Sequence, residues 1–161
     1  MPAADEAILA LTAPFVKRWE GLRLAPYLCA AGHATIGWGT RFYPDGSAVA
    51  MSDAAIGEAQ ADEFLAASLA KMLERLRRSF ARAPTAHQAA AMLSLAYNIG
   101  AEAFTGSTLL AKFNAGDIAG AAGEFPKWSH GRINGKEAVI EGLLRRRKDE
   151  AAMFLTPDSQ A

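Results

Sequence analysis

Between Thr85 and Ile99 the chain carries Ala89-Ala90, Met92-Leu93 and Leu95-Ala96, a helix-length stretch that is apolar on almost every side. A helix without a polar face cannot lie on a surface, so the other elements must enclose it. Thr85 and Gln88 form a capping-box pair at its start, and Gly100 follows its end. This central helix is the strongest constraint on the fold.

The remaining pattern supplies what wraps it. Over 57–78, Phe64, Leu65, Leu69, Met72, Leu73 and Leu76 recur at helical spacing, which predicts a long helix connecting two lobes over 57–80. Along and around it the charge runs from acidic (Asp53, Glu58, Asp62, Glu63) to basic (Lys71, Arg75, Arg77, Arg78, Arg82), as expected of a solvated face. Thr12 as N-cap with Pro14 in the first turn predicts a short helix over 13–20, stopped by Gly21, with Phe15, Val16 and Trp19 on one face. Residues 27–50 are rich in Gly, aromatic and β-branched types, with turn signals at Ala31-Gly32 and Pro44-Asp45-Gly46; they read as a short antiparallel sheet. Ser107 and Asp117 cap two short helices, 136–154 reads as the last long helix, and 156–161 as a loose tail. The expectation is a single α+β domain over 1–161, mostly helical, with a small β lobe and a cleft between the lobes. Its parts are 12–56, 57–80, 81–155 and the tail 156–161.

Composition removes several classes of function. The 17 basic and 17 acidic residues cancel, so no global attraction to nucleic acid or anionic wall polymers is expected. The single cysteine excludes an internal disulfide and fits a reducing compartment. Ile8 to Leu11 is too short for a signal-peptide core, and no run approaches the roughly 20 apolar residues of a membrane span. A soluble protein made in the cytoplasm is expected, with monomer as the default state.

The chemistry is concentrated in one segment: Glu20, then Cys29 after eight residues, then Thr35 after five more, within Ala34-Thr35-Ile36-Gly37-Trp38-Gly39-Thr40. Glu20 ends its helix, where the helix dipole and cleft burial both favour the neutral carboxyl. Cleaving a glycosidic bond needs such an acid to protonate the leaving oxygen. It also needs a second group to activate water or attack the sugar carbon, a role open to Cys29 and Thr35.

Glu20-Gly21-Leu22-Arg23-Leu24, Tyr27, the 35–40 segment, Ala96-Tyr97-Asn98-Ile99-Gly100, Ser107-Thr108-Leu109-Leu110, Gly142-Leu143 and Arg146-Arg147 resemble phage-type lysozymes. These are the endolysin muramidases of glycoside hydrolase family twenty-four, and the match runs in order from about 12 to 154. The resemblance implies a lysozyme-like fold and hydrolysis of the β-1,4 bond between N-acetylmuramic acid and N-acetylglucosamine in bacterial peptidoglycan, causing host lysis. It implies Glu20 as general acid, Thr35 as the group orienting water, and Cys29 in the place usually held by Asp. It also implies a holin partner for release from the host cytoplasm, no cofactor, and an arginine of the 145–147 run pairing with Glu20, for which Arg146 is taken.

Cys29 is the departure from the family pattern. A thiol is mostly neutral at neutral pH unless its surroundings favour the thiolate, so nucleophile, base and bystander all remain open. The missing carboxylate keeps two alternatives: a lytic transglycosylase, and a non-catalytic glycan-binding module. Weaker candidates for substrate binding are Asn98, which is also placed for a helix end, Ser107, which is first an N-cap, and Trp38, which is also a core anchor. His33, His87 and His130 stand isolated, so no metal site is expected.

Overall fold

A computed structural model describes residues 3–159. The central helix, α3 (Ala86–Ile99), is capped by Thr85, whose hydroxyl accepts from the Gln88 amide while Gln88 accepts from the Thr85 amide. Ala86 and every residue from Ala89 through Ala96 are buried. It packs on α1 (Asp5–Glu20), α2 (Glu58–Arg77) and α7 (Glu141–Phe154). Buried Ala61, Leu65, Leu69, Leu73 and Leu76 form the inner stripe of α2. Short helices α4 (Ala101–Thr105), α5 (Thr108–Asn114) and α6 (Ile118–Ala122) and a 3-10 turn (Phe125–Lys127) close the helical lobe. There Phe113 meets Phe80 and Phe154 edge-on, at 5.7 and 6.2 Å between centroids. Ser107 and Asp117 cap α5 and α6 as their side-chain chemistry predicts.

The first helix is longer than expected. It begins at Asp5, and Thr12 is an interior, buried residue whose hydroxyl donates to the Ile8 carbonyl at 2.7 Å. Pro14 therefore lies well inside the helix, normally a cost of about 3 kcal/mol. Burial of Ile8, Thr12, Phe15 and Val16 on one stripe outweighs that local cost. Asp5 and Glu6 in the first turn and Lys17 and Arg18 in the last turn complement the helix dipole.

The β lobe is thinner than the 27–50 reading suggested. Strands β1 (Arg23–Leu28) and β2 (Ala34–Gly37) pair antiparallel, with Tyr27 opposite Thr35. The register breaks between Arg23 and Tyr27, where Pro26 has no amide to donate. Beyond β2 only isolated bridges form, Ile36 with Thr40 and Phe42 with Ala48. The Ile36 to Thr40 closure is reciprocal, 2.9 Å each way, and bends through Gly37 and Gly39 at φ 67° and 93°.

Two expectations at the C-terminal end are corrected. Residues 136–139 are not helical: β3 (His130–Ile133) and β4 (Lys136–Val139) form a hairpin, and α7 starts only at Glu141. Asn134-Gly135, with φ 52° and 76°, supplies the two-residue turn that favours a hairpin over a helix. The segment after 155 is not loose as far as Asp158. One carboxylate oxygen of Asp158 accepts from the Ala86 amide at 2.8 Å, and the other meets the His87 amide and ring at 3.1 and 2.7 Å. Residues 160 and 161 of that expectation lie outside the described residues.

Candidate active site

Glu20 is the last residue of α1, and Gly21 turns the chain away at φ 68°. Its side chain is 19% exposed, and Oε1 accepts from Arg146 Nη1 at 2.8 Å, closing an ion pair between α1 and α7. The other oxygen faces the Gly37-Trp38-Gly39 bend. A Cβ built on Gly39 would lie 3.0 Å from Glu20 Oε2 and 3.3 Å from Tyr97 Oη. Only a glycine lets the backbone approach the acid this closely. Tyr97 from α3 locks the bend by donating to the Trp38 carbonyl at 3.0 Å. Burial, then the nearby Glu20 charge, push the Tyr97 phenol up, so it stays a neutral donor.

Cys29 and Thr35 meet on the β lobe. The Cys29 amide donates to the His33 carbonyl at 2.9 Å and its carbonyl accepts from Gly32, so the 29–33 turn is tightly closed. A hydrogen bond from the His33 backbone lowers the Cys29 thiol against partial desolvation, helped by the Ala31 backbone, the Thr35 hydroxyl and Arg41. The site therefore favours the thiolate more than solvent does. Thr35 is buried, and its hydroxyl donates to the His33 carbonyl at 2.9 Å, which leaves its lone pairs as acceptors. Between the two parts lies half-buried Tyr27. Desolvation raises its phenol, and the Glu20 charge, with Cys29 more weakly, adds to the rise.

The other candidates are placed as follows. Arg146 is the arginine that meets Glu20. Asn98 is exposed near the end of α3, with Oδ1 accepting from Arg147 Nη2 at 2.9 Å. Ser107 is buried with both hydrogen-bonding roles filled locally: it donates to the Phe104 carbonyl at 2.6 Å and accepts from the Leu110 amide at 3.2 Å. Trp38 donates its indole N–H to Asp62 Oδ1 at 2.8 Å, with the Lys17 ammonium over its ring. His33, His87 and His130 are not gathered. Among the described residues no group of three or more His, Cys, Asp or Glu could hold a metal ion.

Two residues behind the site, Ser94 and Glu150, were missed. Both are fully buried and join Arg146 and Arg147, the latter read from the sequence only as part of a basic run, in one polar cluster. The sequence does contain their signals. Ser94 is the one hydroxyl within the apolar stretch of α3, and Glu150 stands four residues after Arg146, one helical turn.

Sequence and structure comparisons cover most of the chain. The phage lysozyme family model matches residues 17–150. An endolysin of Acyrthosiphon pisum secondary endosymbiont phage 1 is 41% identical over 140 residues, 86% of this chain and 91% of that protein. The endolysin of Salmonella phage P22 is 38% identical over 142 residues, 88% of this chain and 92% of that one. Among solved structures, the endolysin from Escherichia coli O157:H7 phage FAHEc1 superposes with a TM-score of 0.80 at 32% identity, covering 96% of this chain and 94% of that one. With a carboxylate and its arginine at the meeting of two lobes, and with similarity over most of its length, the chain belongs to the phage lysozyme family, as a peptidoglycan-hydrolysing enzyme of the endolysin type.

Proposed function

We propose that Glu20 is the general acid for cleavage of the β-1,4 bond between N-acetylmuramic acid and N-acetylglucosamine, with Cys29 and Thr35 handling the water. The observation that carries this reading is the asymmetric environment of Glu20. Arg146 occupies Oε1, so Oε2, beside Gly39, is the oxygen that presents a proton to the leaving group. As the bond from the sugar carbon to the protonated glycosidic oxygen breaks, positive charge grows at the carbon. A water accepted by the Thr35 lone pairs adds there and passes a proton to the Cys29 sulfur, from which solvent returns one to Glu20. Asn98 keeps its amide NH2 for the sugar, since only its carbonyl oxygen is taken by Arg147. Ser107 serves binding through the backbone it caps, and Trp38 through the carbonyl that Tyr97 holds.

The two lobes, 12–56 and 81–155 joined by 57–80, work in this reading as one domain and as a monomer. No helix among the described residues is long and apolar enough to cross a membrane. We infer that the enzyme waits in the host cytoplasm and that a holin releases it to the wall. Expression without a holin then leaves cells intact until their membrane is permeabilised.

The test is turbidity loss of permeabilised Gram-negative cells, with circular dichroism to verify folding. Glu20→Gln lowers the rate by roughly 10² to 10⁴-fold, the span of general acid catalysis. Equal clearing by a folded Glu20→Gln would place the acid elsewhere. New reducing ends, rather than anhydro-muramic ends, mark hydrolysis.

A further inference from the structure

The buried cluster behind the cleft takes no direct part in the proposed reaction, yet it touches both ends of it. Glu150 is fully buried on α7. Ser94 donates to its Oε2 at 2.6 Å, Arg147 Nε lies 2.7 Å from Oε1, and Arg146 Nε lies 3.4 Å from Oε2. The two Nε contacts are close in distance but too poorly aligned to count as hydrogen bonds. Arg147 Nη2 adds a hydrogen bond to Oε2 at 3.3 Å, and Arg146 Nη2 donates to the Ser94 hydroxyl and carbonyl at 3.4 and 3.5 Å.

Both guanidiniums also reach the cleft. Arg146 Nη1 meets Glu20 Oε1 at 2.8 Å, and Arg147 Nη2 meets Asn98 Oδ1 at 2.9 Å. One buried carboxylate thus anchors two arms, one ending on the acid and one on an exposed amide. Buried ion clusters are replaceable by apolar residues as far as stability goes, so stability alone does not account for four charges kept here. Burial pushes the Glu150 carboxyl up and the Arg147 guanidinium down to about 10, each opposed by the other's charge. Together Glu20, Glu150, Arg146 and Arg147 balance to zero.

We propose that Glu150 is a positioning residue. It fixes Arg146 so that Glu20 is held by Oε1 alone, and fixes Arg147 so that Asn98 presents its NH2 to the substrate. The proposal rests on the reading of Glu20 as the acid. The groups facing Glu20 are Arg146 and, farther off, Arg147 from α7, Tyr97 from α3 and Tyr27 from β1. Both tyrosines are raised and stay neutral across the working range, so the arginines and Glu150 set the charge balance.

Glu150→Gln keeps the shape and removes one negative charge, leaving excess positive charge around Glu20. On soluble uncrosslinked glycan strands, kcat falls about tenfold to a hundredfold through misplacement of the acid. The alkaline limb of the activity profile moves to lower pH by about half a unit or more, because the surplus charge favours loss of the proton. Glu74→Gln, on the exposed face of α2, gives the native profile. A folded Glu150→Gln with native kcat and an unmoved limb overturns the proposal, as does lost activity with an unmoved limb, the mark of a merely structural role. If Glu150→Gln does not fold, Glu150→Asp withdraws the carboxylate from both arginines while leaving the Ser94 contacts to Arg146 in place. A shifted Arg146 Nε–H NMR signal with a lowered kcat supports the proposal, and a native signal with native kcat overturns it. The same signal separates the two readings. An active Glu20→Gln defeats the acid assignment, whereas the response of Arg146 to Glu150→Gln still reports the positioning.

Discussion

The two sides of the cleft hold their functional groups by different physics. On the helical side, Glu20 is fixed by an ion pair to a helix that is itself anchored in the core through Ser94 and Glu150. On the β side, Cys29 and Thr35 depend on a two-stranded hairpin and the carbonyl of His33. That lobe exposes Leu24, Leu28, Phe42 and Met51, whereas α3 is almost wholly enclosed. Glu20 therefore sits on the part of the molecule with the most cooperative packing, whereas Cys29 lies in a tight turn and Thr35 on a short strand that packs against α2. In the proposed reaction a proton must be delivered along one line, while a water tolerates small displacements of its acceptor.

Breaking the helical side has the largest effect. Arg146→Met removes the partner of Glu20 and leaves Glu150 with one arginine, a loss of about 3 kcal/mol of stability and roughly a hundredfold in activity. Urea unfolding beside the wall assay measures both. Arg146→Lys recovers the charge but not the fork, so its stability returns further than its activity. Activity that survives Arg146→Met in a folded protein would show that the β lobe, not α7, sets the acid.

The β side breaks next. Cys29→Ser loses most of the activity, about tenfold, because a hydroxyl does not ionise in the working range. Cys29→Asp keeps a substantial part, since the His33 hydrogen bond that favours the thiolate favours a carboxylate too. Cys29 also alkylates with iodoacetamide faster than a free thiol at the same pH. Native activity of Cys29→Ser removes the sulfur from the mechanism.

Gly39→Ala joins the two sides, because its methyl group meets Glu20 Oε2 at 3.0 Å and its φ of 93° strains an alanine. The strain costs about 1–2 kcal/mol and the displaced carboxyl several-fold in kcat, read by thermal melting and initial rates. An unchanged kcat would show that the bend does not hold the acid.

The smallest effect lies far from the cleft. Partial desolvation pushes the Asp158 carboxyl up, but the His87 ring and the Ala86 and His87 amides outweigh it and hold it below the usual range. Its contribution is present above the unfolded value, about 3.9, and is lost as pH falls through the lower folded value. Asp158→Ala lowers the melting temperature by about 2–4 °C at pH 7, the equivalent of about 1 kcal/mol. The difference from the native protein disappears in strong acid. A difference that persisted there would assign the effect to packing rather than charge.

Where sequence reasoning succeeded, the information was local. Thr85 with Gln88, Ser107 and Asp117 each satisfy orphan amides one turn away, so their helix starts are written in neighbouring residues. Where it failed, a competing local or distant term decided. Thr12 has the chemistry of a cap, but the apolar stripe continues upstream through Ile8 and carries the helix past it. At Asn134-Gly135 a local turn signal outweighs the helical spacing of 136–154 over its first four residues. Nothing adjacent to Asp158 foretold its docking on α3, 71 and 72 residues away in sequence.

By itself the sequence determined the enclosed central helix, the long connecting helix, the caps and the spacing that puts one acid at a helix end before a thiol and a hydroxyl. These follow from periodicity and short-range hydrogen bonding, which act over a few residues. Only the tertiary structure decided which oxygen of Glu20 is free, how closely Gly39 approaches it, and that Glu150 stands behind both arginines. Those facts depend on side chains from separate elements, up to 126 residues apart in sequence, meeting at ångström tolerance, set by how α1, α3 and α7 pack together.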